Sequence, residues 1–203
     1  MDLDRSGSGA RVGILGGTFD PIHVGHLVAA TWVRDSLALD RVLLVVANEP
    51  WQKTAVRDVT AAEDRFAVVA AAVEDLPGIE PSRIEIDRGG PSYMVDTVRE
   101  LTADHPGTRY FLVVGSDVAA DLDSWHDVST LATLVALVVV ERGGIVPGPD
   151  PAGWDVERVR IPALDVSSSE LRRRLTAGQA VDVVVPAPAI LCIRARGLYA
   201  GRR

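Results

Sequence analysis

The chain has 203 residues, 47% of them hydrophobic, and a formal net charge of −7 from 21 Lys+Arg and 28 Asp+Glu. That length and apolar content exclude a disordered chain and suit one globular α/β domain. The acidic balance excludes a strong grip on nucleic acid, which basic surfaces supply, but leaves room for a small phosphorylated ligand held by local cations and helix ends. The one cysteine, Cys192 in "AILCI", can form neither an internal disulfide nor a cysteine metal cluster and reads as a small buried hydrophobe.

Met1–Ala10 is polar and rich in Gly and Ser. It is expected as a flexible tail, residues 1–10, ahead of a single domain over 11–203, and it lacks the apolar core of a signal peptide. Strands are predicted at Arg11–Leu15, Arg41–Val46, Arg83–Ile86, Arg109–Val114, Leu134–Val140 and Glu157–Ile161. Helices are predicted between them at Val24–Leu37, Ala61–Leu76, Ser92–Asp104 and Ser124–Leu131. Several strands are apolar at consecutive positions, as a sheet covered on both faces requires. The alternation predicts an α/β fold, a doubly wound and mostly parallel sheet. "RGGIVPGPDPAGWD", Arg142–Asp155, reads as a surface loop. Helices at Ser167–Gly178 and Ala187–Tyr199 would make a small C-terminal helical part over 164–203. The longest near-apolar run, Leu131–Val140, is far short of a membrane span, so no membrane partner and a cytoplasmic location are expected.

The densest chemistry lies in "GGTFDPIHVGH", Gly16–His26, between the first strand and the first helix. Ligands of open α/β sheets bind beyond the carboxyl ends of the strands. Gly16 and Gly17 remove side chains where a ligand would approach the backbone, and Thr18 adds a hydroxyl. N–H groups at the start of the following helix attract an anion. His23 and His26, three residues apart, face one way on its first turn, and Gly25 leaves room beside them. The stretch does not fit the dinucleotide fingerprint G-x-G-x-x-G.

"GGTFDPIHVGH" resembles the signature of the nucleotidyltransferase superfamily, whose H-x-G-H sits at His23–His26. Its longer form resembles the bacterial nicotinate-mononucleotide adenylyltransferase family in particular. The resemblance continues in "ANEPWQK" (Ala47–Lys53), "PSYMVDTVREL" (Pro91–Leu101), "VVGSDVAADLDSWHD" (Val113–Asp127) and "SSSELR" (Ser167–Arg172). It implies a Rossmann-like nucleotidyltransferase fold. It also implies adenylyl transfer from ATP to nicotinate mononucleotide in NAD biosynthesis, with Mg²⁺ arriving on ATP and no metal ligand from the protein.

Residue by residue, the resemblance assigns His23, His26, Lys53 and Arg172 to catalysis. It assigns ATP to these and to Gly16, Gly17, Thr18, Phe19, Gly25, Gly115, Asp117, Ser168 and Ser169, leaving Lys53 aside. It assigns the acceptor mononucleotide to Gly16, Thr18, Lys53, Ser92, Tyr93, Thr97, Trp125 and His126. Arg172 can offer a bidentate fork to phosphate oxygens, and Trp125 a flat face to a pyridine ring. Arg65 stands where the family has an arginine and reads equally well as a surface charge, while Met94 replaces the family's usual Thr. A pantetheine-phosphate adenylyltransferase would share the first and last motifs but lack the middle ones. A non-catalytic nucleotide sensor is the other alternative. The oligomeric state is not fixed, and a homo-oligomer stays open.

Overall fold

A computed structural model of the chain describes residues 9–50, 58–143 and 148–201. Its centre is a six-stranded sheet in the order β3-β2-β1-β4-β5-β6, with every neighbouring pair parallel. The strands are β1 (Arg11–Gly17), β2 (Arg41–Val46), β3 (Ile79–Ser82), β4 (Arg109–Gly115), β5 (Ala136–Arg142) and β6 (Val156–Ile161). The direction of winding reverses between β1 and β4, which are neighbours in space but not in sequence. This is the switch point where such sheets leave a crevice.

Consecutive apolar residues in the strands serve opposite faces. Val42, Leu44 and Val46 of β2 join one buried cluster, and Leu43 and Val45 join the other. On the first face lie α1 (Val24–Ser36) and α2 (Ala62–Val73), with Ala30, Val33, Val68 and Val69 in the core. The C-terminal helices α7 (Ser168–Thr176) and α8 (Ala187–Ala195) join this same face through Leu171, Ala189, Ile190 and Ile193. On the second face lie α4 (Met94–Asp104), through Val95, Val98 and Leu101, and α6 (Val128–Leu134), through Leu131. Burying each such Val or Leu contributes about 1.5–3 kcal/mol, so both faces reward the same strand. No helix among the described residues is long and apolar enough to cross a membrane.

Three boundaries differ from the sequence reading. Residues Arg83–Ile86 are not a strand: β3 lies upstream at Ile79–Ser82, and Ile84–Arg88 forms a short helix, α3. The alternation Ile84-Glu85-Ile86 imitates a strand period, but the structure buries Glu85 itself. Pro81 is tolerated within β3 because β3 is an edge strand, where a missing N–H leaves no ladder partner unmet. The helix expected at Ser124–Leu131 is split into a 3₁₀ turn (Leu122–Ser124) and α6, because Asp127 adopts a left-handed φ of 47° between them. The closing helix ends at Ala195 rather than Tyr199, as the chain turns back at Gly197 with φ 64°. The short helix α5 (Ser116–Ala119) follows β4.

Candidate active site

The last register pair of β1 and β4 is Ile14 with Leu112. Beyond it lies a cavity of about 600 Å³, lined by Leu15–Gly17 from one strand and Leu112–Gly115 from the other. That size is in the range of small-molecule sites. Its walls come from sequence-distant segments, and their geometry divides it into two halves.

In the first half, the two glycines that end β1 leave little room for a side chain. A Cβ on Gly16 would stand 2.5 Å from Met94 Cε, and one on Gly17 would stand 2.9 Å from the Phe19 ring. Phe19 is buried at φ 47° and meets the His26 ring edge-on at 5.0 Å. His23 is the N-cap of α1, in extended conformation. Its backbone N–H donates to His26 Nδ1 at 3.3 Å, which puts the N–H of a neutral His26 ring on Nε2. The two imidazoles stack at 3.8 Å.

Burial pushes the His23 pKa down to about 4, helped by the positive charge of Arg142. His23 is therefore neutral near pH 7. Its Nδ1 is buried and finds no hydrogen-bond partner among the described residues. Gly25 does not line the cavity; it makes room for His23, since a Cβ there would lie 3.0 Å from that Nδ1.

The serine helix closes this half. Ser167 caps α7 by accepting from Glu170 N at 3.3 Å, and Ser168 Oγ donates to Pro21 O at 2.9 Å. Arg172 donates from Nη1 to Asp20 O at 2.6 Å and from Nη2 to Ser169 Oγ at 3.1 Å. Motifs 152 residues apart in sequence are thus bonded together over one cavity. Thr18, Ser168, Ser169 and Arg172 all line it.

In the second half, Gly115 and Asp117 follow β4, and a Cβ on Gly115 would stand 2.6 Å from Asp117 Oδ1. Trp125 and His126 line the wall, and the His126 ring lies 4.4 Å from that of Tyr93. Tyr93 is the N-cap of α4, with no side-chain cap bond, and Tyr93 and Met94 at that helix start line the cavity. Ser92 Oγ accepts from Asn48 N at 2.8 Å, and Ser92 N donates to Glu49 O at 3.1 Å, tying this entry to the loop after β2.

Thr97 departs from the sequence reading. It is fully buried, outside the cavity lining, and its hydroxyl donates to Glu85 Oε1 at 2.6 Å. Thr97 lies one turn deeper in α4 than Tyr93, where its side chain meets Glu85 of α3 instead of the opening. Arg65 is not a surface charge. It is 1% exposed and donates to the carbonyls of Thr60, Thr18 and Asn48, holding the loops after β1 and β2 together. Lys53, with Trp51 and Gln52, lies outside the described residues.

Glu85 and Arg142 line the cavity and were missed by sequence reasoning. Glu85 is 3% exposed, and Arg88 stands 3.9 Å from its carboxylate. A buried carboxylate in the stretch before "PSYMVDT" carries no local signal, since Glu at that spacing reads as a solvated face. Arg142 ends β5, and only the strand order reveals that its end meets the His23 wall. Among the described residues, no three His, Cys, Asp or Glu side chains gather to hold a metal ion.

The cytidylyltransferase-like family model matches residues 14–174. The chain is 41% identical over 192 residues to a protein of Corynebacterium kroppenstedtii named "Probable nicotinate-nucleotide adenylyltransferase", covering 93% of this chain and 90% of that one. A protein of the same name from Streptomyces coelicolor is 42% identical over 189 residues, covering 92% and 100%. The fold is similar to that of Plasmodium falciparum nicotinic acid mononucleotide adenylyltransferase complexed with NaAD. There the TM-score is 0.77 at 20% identity, over 94% of this chain and 97% of that one.

Proposed function

This chain belongs to the cytidylyltransferase-like family and, within it, to the nicotinate-nucleotide adenylyltransferases, and from that premise we propose that its cavity joins nicotinate mononucleotide to the adenylyl group of ATP. The 5′-phosphate oxygen of the mononucleotide attacks the α-phosphorus in line. The bond from that phosphorus to the α,β-bridging oxygen breaks, nicotinate adenine dinucleotide forms, and the electron pair leaves on pyrophosphate. A phosphate monoester, with a second pKa of about 6, is already a competent nucleophile near neutral pH. No side-chain nucleophile is required, and catalysis is positioning plus charge stabilisation.

The single observation that carries this reading is the bond from Arg172 to Asp20 O at 2.6 Å. It brings the serine helix and the histidine loop to one anion-sized corner. There His26, the first N–H groups of α1 and Arg172 converge on the triphosphate. Neutral His23 supports the His26 ring by stacking, and a phosphate next to it would draw its pKa up from about 4. Lys53, which the resemblance assigns to catalysis, would add a further cation. His26 and Arg172 would hold the phosphates on which Mg²⁺ would arrive, and the ion would supply charge neutralisation there.

The acceptor takes the second half. Trp125 gives the pyridine ring a stacking face, and the N–H groups at the start of α4 receive the nicotinate carboxylate. Asp117, beside this half, would take up a ribose hydroxyl of ATP. Both substrates are phosphorylated nucleotides, and no helix among the described residues is long and apolar enough to cross a membrane, which supports a cytoplasmic reaction. The test is pyrophosphate release from ATP with nicotinate mononucleotide, nicotinamide mononucleotide or phosphopantetheine as acceptor. Release with the first supports the reading. Release with the third alone, or with none, overturns it.

A further inference from the structure

The end of the chain returns to the first motif. After α8 the backbone enters the left-handed region at Gly197, φ 64°, and again at Tyr199, φ 58°. A bulky residue seldom sits there, and such outliers cluster where function holds them. The turn is closed by Leu198 N donating to Ile193 O at 3.0 Å. It packs Tyr199 against the first-face core and delivers its hydroxyl to Asp20 Oδ1, a donation of 2.7 Å across 179 residues of sequence.

Asp20 is 1% exposed, so its carboxylate depends on the groups around it. Its other oxygen, Oδ2, stands 3.9 Å from Arg172 Nη1, while its carbonyl oxygen accepts from that same nitrogen at 2.6 Å. The carboxylate therefore sits just beyond hydrogen-bond range of a guanidinium that it attracts strongly. A bidentate Arg–carboxylate pair is the natural outcome for such neighbours. The Tyr199 hydroxyl on Oδ1 instead fixes the orientation of the carboxylate, with Oδ2 at 3.9 Å from Nη1. Burial and the Asp20 charge hold the Tyr199 pKa above its ordinary value, so the hydroxyl remains a donor throughout the neutral range.

We propose that Tyr199 is a positioning residue of adenylyl transfer: by holding Asp20 Oδ1 it keeps the carboxylate from capturing Arg172, and so keeps the guanidinium directed at the phosphates of ATP. This rests on the phosphate role of Arg172 proposed above.

The experiment uses the full chain, with kcat and KM determined separately for ATP and for nicotinate mononucleotide, and melting temperature measured in parallel. Tyr199→Phe is expected to lower kcat/KM for ATP about tenfold, as loss of an outer-sphere partner does elsewhere, with little change in KM for the mononucleotide. Adding Asp20→Asn, which removes the capturing charge, is expected to restore kcat/KM for ATP even where the melting temperature is not restored. In an Arg172→Ala background, Tyr199→Phe is expected to cost nothing more.

A rise in KM for the mononucleotide as large as the loss for ATP overturns the proposal, as does no rescue by Asp20→Asn or an undiminished loss in the Arg172→Ala background. If Arg172→Ala itself leaves kcat/KM for ATP intact, the phosphate role falls and takes this proposal with it. If Arg172→Ala is crippled while Tyr199→Phe behaves as wild type, this proposal alone falls. Should Tyr199→Phe fail to fold, Asp20→Asn alone decides. Its KM for ATP is expected at or below wild type, and a tenfold rise overturns the capture argument.

Discussion

The two halves of the cavity are built differently. In the half proposed to take the phosphates, His23 is buried, His26 is stacked on it, and Arg172 is bonded to the opposite wall at Asp20. In the acceptor half, His126 is exposed, Trp125 is half-buried, and Tyr93 and His126 meet only ring to ring at 4.4 Å. The phosphate half is preorganised by hydrogen bonds between its own side chains and its own backbone. The acceptor half depends on Glu85, which lines the cavity, and on Thr97 and Arg88, which bond with it outside the lining. Stabilising a highly charged leaving group requires fixed dipoles, whereas selecting a ring and its carboxylate requires a shaped wall with donors.

The acceptor half gives the largest expected effect. Backbone donors at the start of α4 would be left unpaired opposite the NH₂ of a carboxamide. Polar mismatches of this kind discriminate by roughly 10⁴ or more. We expect kcat/KM for nicotinate mononucleotide to exceed that for the nicotinamide form by about this factor; equal values would remove the contrast between the halves.

The phosphate half gives the next. His26→Ala removes one preorganised donor and should lower kcat on the order of 10² to 10³ while changing KM for ATP little. Its melting temperature should stay near wild type, because the half-buried ring lines a cleft. A near-normal kcat would take His26 out of the mechanism.

His23 sharpens the comparison through pH. Unfolded, its imidazole binds a proton with a pKa near 6.5, and folded it does so only near 4. Between those values the unfolded state holds more protons, so stability falls as pH drops from about 6.5 to about 4 and no further below. The total loss is about 3 kcal/mol by linkage. Urea unfolding at stepped pH should record this slope in the wild type and a shallower one in His23→Gln; parallel slopes would mean that burial of His23 is not what makes the fold acid-sensitive.

The smallest expected effect concerns the supporting layer. Thr97→Val deletes the hydroxyl that donates to the buried Glu85 carboxylate at 2.6 Å. It should cost about 1–3 kcal/mol of stability and leave kcat close to wild type. Calorimetry and turnover measured on one preparation separate the two. A large fall in kcat with unchanged stability would return Thr97 to the list of groups that touch the acceptor.

The phosphate half was the more legible in sequence, for a physical reason. Glycines, histidines and a helix start within one short stretch fix their own mutual geometry, because β1, its loop and α1 are consecutive. Gly25 was read as leaving room, and the room it leaves is for the His23 ring. The acceptor half was read less well. The motif around Tyr93 and Thr97 mixes residues that line the cavity with residues that support it, and a linear string does not separate them. Arg65 is the clearest example: its spacing in α2 permits a surface charge, yet it is 1% exposed and bonded to three carbonyls.

By itself the sequence determined the alternation of strands and helices, the two-faced burial of the sheet and the chemistry of the β1 loop. These depend on local periodicity and on neighbours along the chain. Tertiary structure alone decided which charges meet. The neutrality of His23 comes from burial and from Arg142 at the end of another strand, and the setting of Arg172 comes from Asp20 and from Tyr199 beyond the last helix. Burial and charge act through space over a few ångströms, and the order of strands, not the order of residues, sets those distances.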